Sequence, residues 1–160
     1  MTASPSFTID DSLWPLRIVR FVGVATARQF AQYLMEMDAC LHRGERFVCI
    51  LDISQGGAPT QEQRQLQASW LKERDPLLRQ FELGVAFIVT SPLVRLALSA
   101  IFYFKPMPVP YLVTTQMSAA LEWAAQRFTE ARLVQHAEFL RSHFGLPSRE
   151  NPGKNASFPG

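Results

Sequence analysis

The 160-residue sequence has only two cysteines, Cys40 and Cys49, and they lack the paired spacing of a zinc or redox motif. Both fall in apolar segments, so we expect buried, reduced thiols. The N-terminal residues include no basic region followed by an apolar run, which argues against a secretory signal. We therefore expect a cytoplasmic protein.

The sequence also lacks a large excess of positive or negative charge. The formal net charge is only +2, and the Lys and Arg residues are dispersed along the sequence. A surface that follows phosphates normally shows clustered basic residues, so nucleic acid is not an expected partner. The three histidines, His42, His136 and His143, form no metal spacing with each other, with cysteine or with acids. We expect neither a metal nor a cofactor.

One long apolar run, residues 83–104, is the only candidate for a membrane span, and Arg95 is its single charged residue. Ser91 and Pro92 divide the run, and the part before them has the β-branched and aromatic content of a strand. Two short buried elements explain this run better than a membrane span does.

What the sequence does contain is a regular alternation of strand-like and helix-like segments. Strands are predicted over residues 7–10, 16–24, 47–53, 85–90 and 111–114, with the first two paired as a hairpin that turns at residues 11–12. Helices are predicted over residues 26–44, from 60 onwards with an interruption at 75–76, over 92–104 and from 118 to about 144.

This order predicts an α/β protein with a mixed sheet of about five strands and about four helices. With 48% hydrophobic residues, the chain can bury one core without disulfides or metal, so we expect a single domain over residues 1–145. Residues 146–160 are rich in Pro, Gly, Asn and Ser without apolar periodicity, and we interpret them as a disordered tail.

The predicted helix over residues 92–104 is apolar around nearly its whole circumference. Such a helix must be buried on more than one side, and its own sheet covers only one. We therefore expect it to dock on a partner protein or on a second copy of the chain, through Leu98, Ile101, Phe102 and Phe104. Arg95 must reach solvent, pair with an acid or bind a ligand, and the first two are favoured.

Asp52 is the best-placed acid, because it ends the predicted third strand, where loops often build sites in open α/β sheets. No His or second acid lies close in sequence, so an Asx turn or helix cap is favoured over catalysis. Ser54 and Thr60 are the nearest hydroxyls, and Thr60 fits a capping box with the Gln three positions later. Gly56 and Gly57 suit an anion, but the other residues of a phosphate loop are missing. An enzyme is thus the least favoured class.

The order of elements, with residues 51–54 closing the third strand ahead of a helix, resembles the STAS fold of anti-sigma-factor antagonists. Several segments are similar to the STAS/SEC14-like branch of small bacterial proteins. These segments are residues 85–89, Ser91-Pro92-Leu93-Val94-Arg95, Ala100-Ile101-Phe102, a proline-containing link and a helix that opens at residues 119–123. The resemblance covers about residues 7–135. It is more specific for the fold than for the function, because one fold hosts many functions.

The resemblance implies a non-enzymatic regulatory module that binds another protein. In the better-known antagonists, a partner kinase phosphorylates a Ser near the start of the second helix, which releases an anti-sigma factor. The matching position falls near Gly57-Ala58, which has no hydroxyl, so this switch is not expected here.

The SEC14-like branch implies an alternative function, the binding of a small apolar ligand or lipid. This alternative needs a pocket between the third helix and the sheet, with the proline-containing link at its mouth. Arg95 would then meet an acidic headgroup.

Overall fold

The computed structural model describes residues 4–147, in which a five-stranded sheet is combined with five helices. The elements are β1 (Ser6–Leu13), β2 (Leu16–Gly23), α1 (Ala27–Leu41), β3 (Phe47–Gly56), α2 (Gln61–Phe81), β4 (Glu82–Ile88), α3 (Pro92–Phe104), β5 (Tyr111–Thr114), α4 (Met117–Glu130) and α5 (Val134–Phe144). The strands lie in the order of the chain. β1 and β2 are antiparallel and the other neighbours are parallel, which confirms the predicted mixed sheet.

Helices cover both faces of the parallel strands. On one face, α1, α2 and α3 pack over Cys49, Leu51 and Phe87. On the other face, α4 and α5 pack over Val48 and Ile50. Successive residues of β3 enter opposite layers because strand side chains alternate between the faces. A strand covered on both faces reads as a continuous apolar run, as the segment from residue 47 does.

Hydroxyl side chains begin three of the helices. Thr26 and Thr60 each accept a hydrogen bond from the backbone N–H of the glutamine three residues later, and that glutamine's Oε1 accepts from the N–H of the threonine. Ser91 accepts from the N–H of Val94 at the start of α3. These bonds satisfy amide groups that a helix start leaves unpaired. The capping pattern predicted at Thr60 is confirmed.

The structure differs from the predicted elements at β1 and α2. β1 continues to Leu13, with a register shift after Asp10, so the hairpin turns at residues 14–15 and not at 11–12. α2 is one helix through Pro76. Proline removes one backbone hydrogen bond, but the continuous helix brings both Leu71 and Leu78 into the core.

The predicted last helix is two helices, α4 and α5, separated by residues 131–133. Arg132 has a positive φ of 65°, and the N–H of Leu133 donates to the carbonyl oxygen of Phe128. This bond is that of a Schellman cap, which usually has glycine at the left-handed position. The break was missed because the sequence has no glycine there.

The apolar run over residues 83–104 forms most of β4 and all of α3, the two short elements expected from the sequence. Within residues 4–147, no helix combines the length and the apolar character needed to cross a membrane. The predicted disordered tail, residues 146–160, lies outside the described residues from 148 onwards.

The close packing of Gly84 against α4 predicts that a larger side chain at this position destabilises the protein. A Cβ at this position would lie 2.6 Å from Cη2 of Trp123 and 3.2 Å from Cδ of Arg127. We expect Gly84→Ala to lower the free energy of unfolding by about 1–3 kcal/mol, because the indole must move within a packed layer. Urea denaturation measures this loss.

Trp123→Phe provides the matched background because it removes the outer ring that the new methyl group would contact. Gly84→Ala should cost less in this background than in the wild type. Equal costs in the two backgrounds would show that the indole contact is not the cause.

Candidate functional site

An apolar cavity of about 120 Å³ lies between the sheet and the layer formed by α1, α2 and α3. α3 contributes Leu98, Ile101 and Phe102 to the wall, and the proline-containing link contributes Met107. Gly23, Ala25 and Gly57 also line the cavity, and a hydrogen atom or a methyl group cannot fill the space. The structure therefore contains a space between the third helix and the sheet.

Glu82 lines this cavity, and its side chain is almost fully enclosed, with 7% of the residue exposed. Within residues 4–147 it makes no hydrogen bond or ion pair. Burial raises the pKa of Glu82 to about 8 because the charged carboxylate is poorly solvated there. The carboxyl group is therefore mostly protonated at neutral pH, and it has no protein partner.

A β-bulge turns Glu82 towards the cavity. Glu82 pairs with Phe47 and Gly84 pairs with Val48, so Leu83 is an extra residue in β4. Strict alternation would place Glu82 on the α4 side together with Gly84. The bulge reverses this orientation and leaves Leu83 packed in the α4 layer.

Glu82 is not among the site residues predicted from the sequence. An acid between a polar helix and a strand is typical of an exposed helix end. The available signal was a single carboxyl group at the start of an apolar stretch that runs from residue 81 to residue 89.

Trp70 also lines the cavity, but its Nε1 is buried without a hydrogen-bond partner in the described chain and has almost no accessible surface, so it does not open onto the cavity. Gln63 also lines the cavity, but its amide is already used. Its Nε2 donates to the carbonyl oxygen of Ala25 at 2.7 Å, and its Oε1 accepts from Thr60. Besides Glu82, Trp70 and Gln63, the polar residues of the wall are Tyr33 and Gln67, and the rest of the wall is apolar.

Asp52 lies outside the cavity wall, in a network at the end of β3. Its Oδ1 accepts from the N–H and from the hydroxyl of Ser54, at 3.1 and 2.6 Å, and its Oδ2 accepts from Nε of Arg20 at 2.9 Å. Burial opposes ionisation, but these hydrogen bonds outweigh it and hold the pKa of Asp52 below its ordinary value. The bond to the N–H of Ser54 makes an Asx turn, the role that the sequence favoured.

No second acid or His joins Asp52 in this network. Across residues 4–147, no three His, Cys, Asp or Glu side chains come together in a way that could hold a metal ion. The structure thus brings Asp52 and Ser54 together but does not add the groups that acid–base catalysis needs.

The residues predicted to form the docking surface are divided by the structure. Leu98 and Ile101 are buried in the core, where they face the cavity. Phe102 is partly buried and packs against Phe87 and Tyr111. Leu98 and Ile101 are therefore core residues, and an outer surface must be formed by other side chains of α3.

The outer side of α3 carries four exposed large apolar side chains, which we call the α3 stripe: Leu93, Leu96, Tyr103 and Phe104. Their spacing puts them on one side of the helix. Only Phe104 was identified from the sequence. Arg95 is exposed beside the stripe, and its side chain makes no hydrogen bond or ion pair within residues 4–147.

These features define an α/β domain with a STAS-like, SpoIIAA-like fold. Its structure is similar to that of an uncharacterized protein of the DUF3478 family from Shewanella loihica PV-4, described as having a SpoIIAA-like fold, with a TM-score of 0.56 and 16% identity. It is also similar to an anti-sigma factor antagonist from Mycobacterium paratuberculosis, with a TM-score of 0.53 and 13% identity. Each comparison covers 78% of this chain and 98% of the other.

No family model matches the chain, and no curated protein matches it. At such low identity, the likeness to the two solved structures establishes the fold and not the function. The STAS-like fold inferred from the sequence is confirmed.

The raised pKa of Glu82 predicts that the free energy of unfolding depends on pH. The folded-state pKa of about 8 lies above the ordinary value of 4.5, so the folded protein holds more protons than the unfolded chain between these values. The contribution of the neutral carboxyl to the free energy of unfolding is fully present below pH 4.5, decreases as the pH rises and is lost above about pH 8. The total loss is on the order of 5 kcal/mol.

Glu82→Gln should remove most of this pH dependence, because the amide cannot ionise. Urea denaturation between pH 5 and pH 8 should show a smaller decline in the free energy of unfolding for the variant than for the wild type. Tyr33 and Cys49, near Glu82, do not titrate in this range because burial raises both pKa values. Parallel pH profiles would contradict the assignment.

Proposed function

We propose that this protein is a non-enzymatic regulatory module that acts by docking on another protein, with α3 as the docking helix. The observation that carries the proposal is the α3 stripe, in which Tyr103 is 84% exposed. Large apolar side chains exposed together on one side of a helix are typical of an interaction site. The fold likeness to a protein described as an anti-sigma factor antagonist supports a regulatory role.

The geometry of α3 favours a helix as the docked element. Leu93, Leu96, Ala100 and Tyr103 follow each other at spacings of three and four residues, as in the seam of a paired helix. The inner side of α3 is held by the core. Nζ of Lys105, at its C-terminal end, contacts Oδ2 of Asp75 in α2 at 2.7 Å. A second copy of the chain, which presents the same stripe, is the partner we propose first.

The loop before α2 supports a module that works without a phosphorylated serine. A Cβ at Gly57 would clash with Cγ2 of Val24, and the N–H of Gly57 donates to the carbonyl oxygen of Gly23 at 3.1 Å. A serine at this point would require the exposed side chain of Val24 to move. The hydroxyls of Ser54 and Thr60 are already hydrogen-bonded to Asp52 and to the backbone of Gln63.

The reactive side chains also favour a role without catalysis. Asp52 is held by Arg20 and Ser54. Cys40 and Cys49 are free thiols in the core, and burial raises the pKa of Cys40 to about 11, so it is a poor nucleophile. A cytoplasmic location, where such thiols stay reduced, remains part of the proposal.

Sedimentation velocity at micromolar concentrations tests the docking surface. We expect the wild type to self-associate and Leu96→Glu to weaken association by about tenfold or more, because it places a charge in the apolar contact. Met35→Glu is the control, since Met35 is 71% exposed on α1, away from the stripe. It should associate like the wild type.

Thermal unfolding should show that both variants are folded. A monomeric wild type would exclude a second copy as the partner. Unchanged association of Leu96→Glu would place the interface elsewhere.

A further inference from the structure

We propose that the cavity between the sheet and α3 is a binding site for a neutral, ring-sized apolar molecule that carries one hydroxyl group, with Glu82 as its hydrogen-bonding partner. This site is separate from the α3 stripe, because its wall is formed by the inner residues of the same helix. The proposal does not depend on the docking function.

The size and lining of the cavity indicate the apolar part of the ligand. An engineered apolar cavity of about 150 Å³ takes up benzene, and the present cavity of about 120 Å³ is comparable. Leu51, Val85, Phe87 and Leu98 provide apolar contacts around it. The cavity is partly open to solvent.

The polar groups indicate the hydroxyl. Buried polar side chains nearly always have a hydrogen-bond partner, yet Glu82, which lines the cavity, has none within residues 4–147. A hydroxyl can donate to the carbonyl oxygen of a neutral carboxyl and accept from an N–H or O–H donor. One such group therefore suits a wall with a neutral carboxyl, whose carbonyl oxygen accepts a hydrogen bond and whose O–H donates one.

Other occupants suit the wall less well. A buried water normally makes two to four hydrogen bonds, and most of this wall is apolar. A protonated amine would require a buried ion pair with Glu82, which carries a large desolvation cost. An acidic headgroup, the ligand considered from the sequence, would meet a carboxyl group and not Arg95, which does not line the cavity.

Phenol and toluene are matched probes, because they differ only by the exchange of a hydroxyl for a methyl group. We expect both to produce chemical-shift changes at cavity residues in amide NMR titrations at pH 6, with phenol binding about tenfold more tightly. Glu82→Leu removes the carboxyl and leaves an apolar side chain, so it should fold. It should retain toluene binding and lose the preference for phenol.

Leu98→Trp is the second variant, because a larger side chain at this position should occupy the cavity and abolish binding of both probes. The proposal is overturned if neither probe binds the wild type, or if toluene binds as tightly as phenol. It is also overturned if Glu82→Leu keeps the preference for phenol, or if Leu98→Trp, shown to be folded by its amide spectrum, binds both probes unchanged.

Discussion

The structure depends on the need to cover both faces of four parallel strands. Parallel strands require crossover connections, which place helices on the faces of the sheet. The two layers are filled differently. α4 brings Ala120, Ala124 and Ala125 against the sheet, and Gly84 allows Trp123 to approach β4 closely. The opposite layer is built from larger side chains on three helices, and there the packing leaves a cavity.

α3 has apolar side chains on two opposite sides, which explains its composition. Leu98 and Ile101 close the cavity on the inner side, whereas Leu96 and Tyr103 are exposed on the outer side. A helix that is apolar all round was expected to be covered on more than one side. In the protomer, the core covers the inner side and leaves the outer stripe in solvent, so the composition reflects two different surfaces.

Two buried ionisable side chains show how differently the fold treats charge. Arg17 is fully paired, because Nε and Nη2 each donate to Asp11 at 2.8 Å and Nη1 donates to the carbonyl oxygen of Glu36. Hydrogen bonds from Arg17 are the first cause of the lowered pKa of Asp11, and they outweigh its partial burial. Glu82 is also buried, with 7% of the residue exposed, but it has no such partner. Arg17 therefore has a structural role, whereas the unpaired carboxyl of Glu82 marks the cavity.

The sequence alone determined the order of the strands, most of the helices, the mixed sheet and the cap at Thr60, because these features follow from periodicity and from hydrogen bonds within a few residues. Only the tertiary structure decided the orientation of Glu82, the exposed side of α3 and the break at Arg132. These depend on strand register and on packing between segments that are distant in sequence. A one-residue bulge is enough to move a side chain from one face of a sheet to the other, and local propensity does not reveal it.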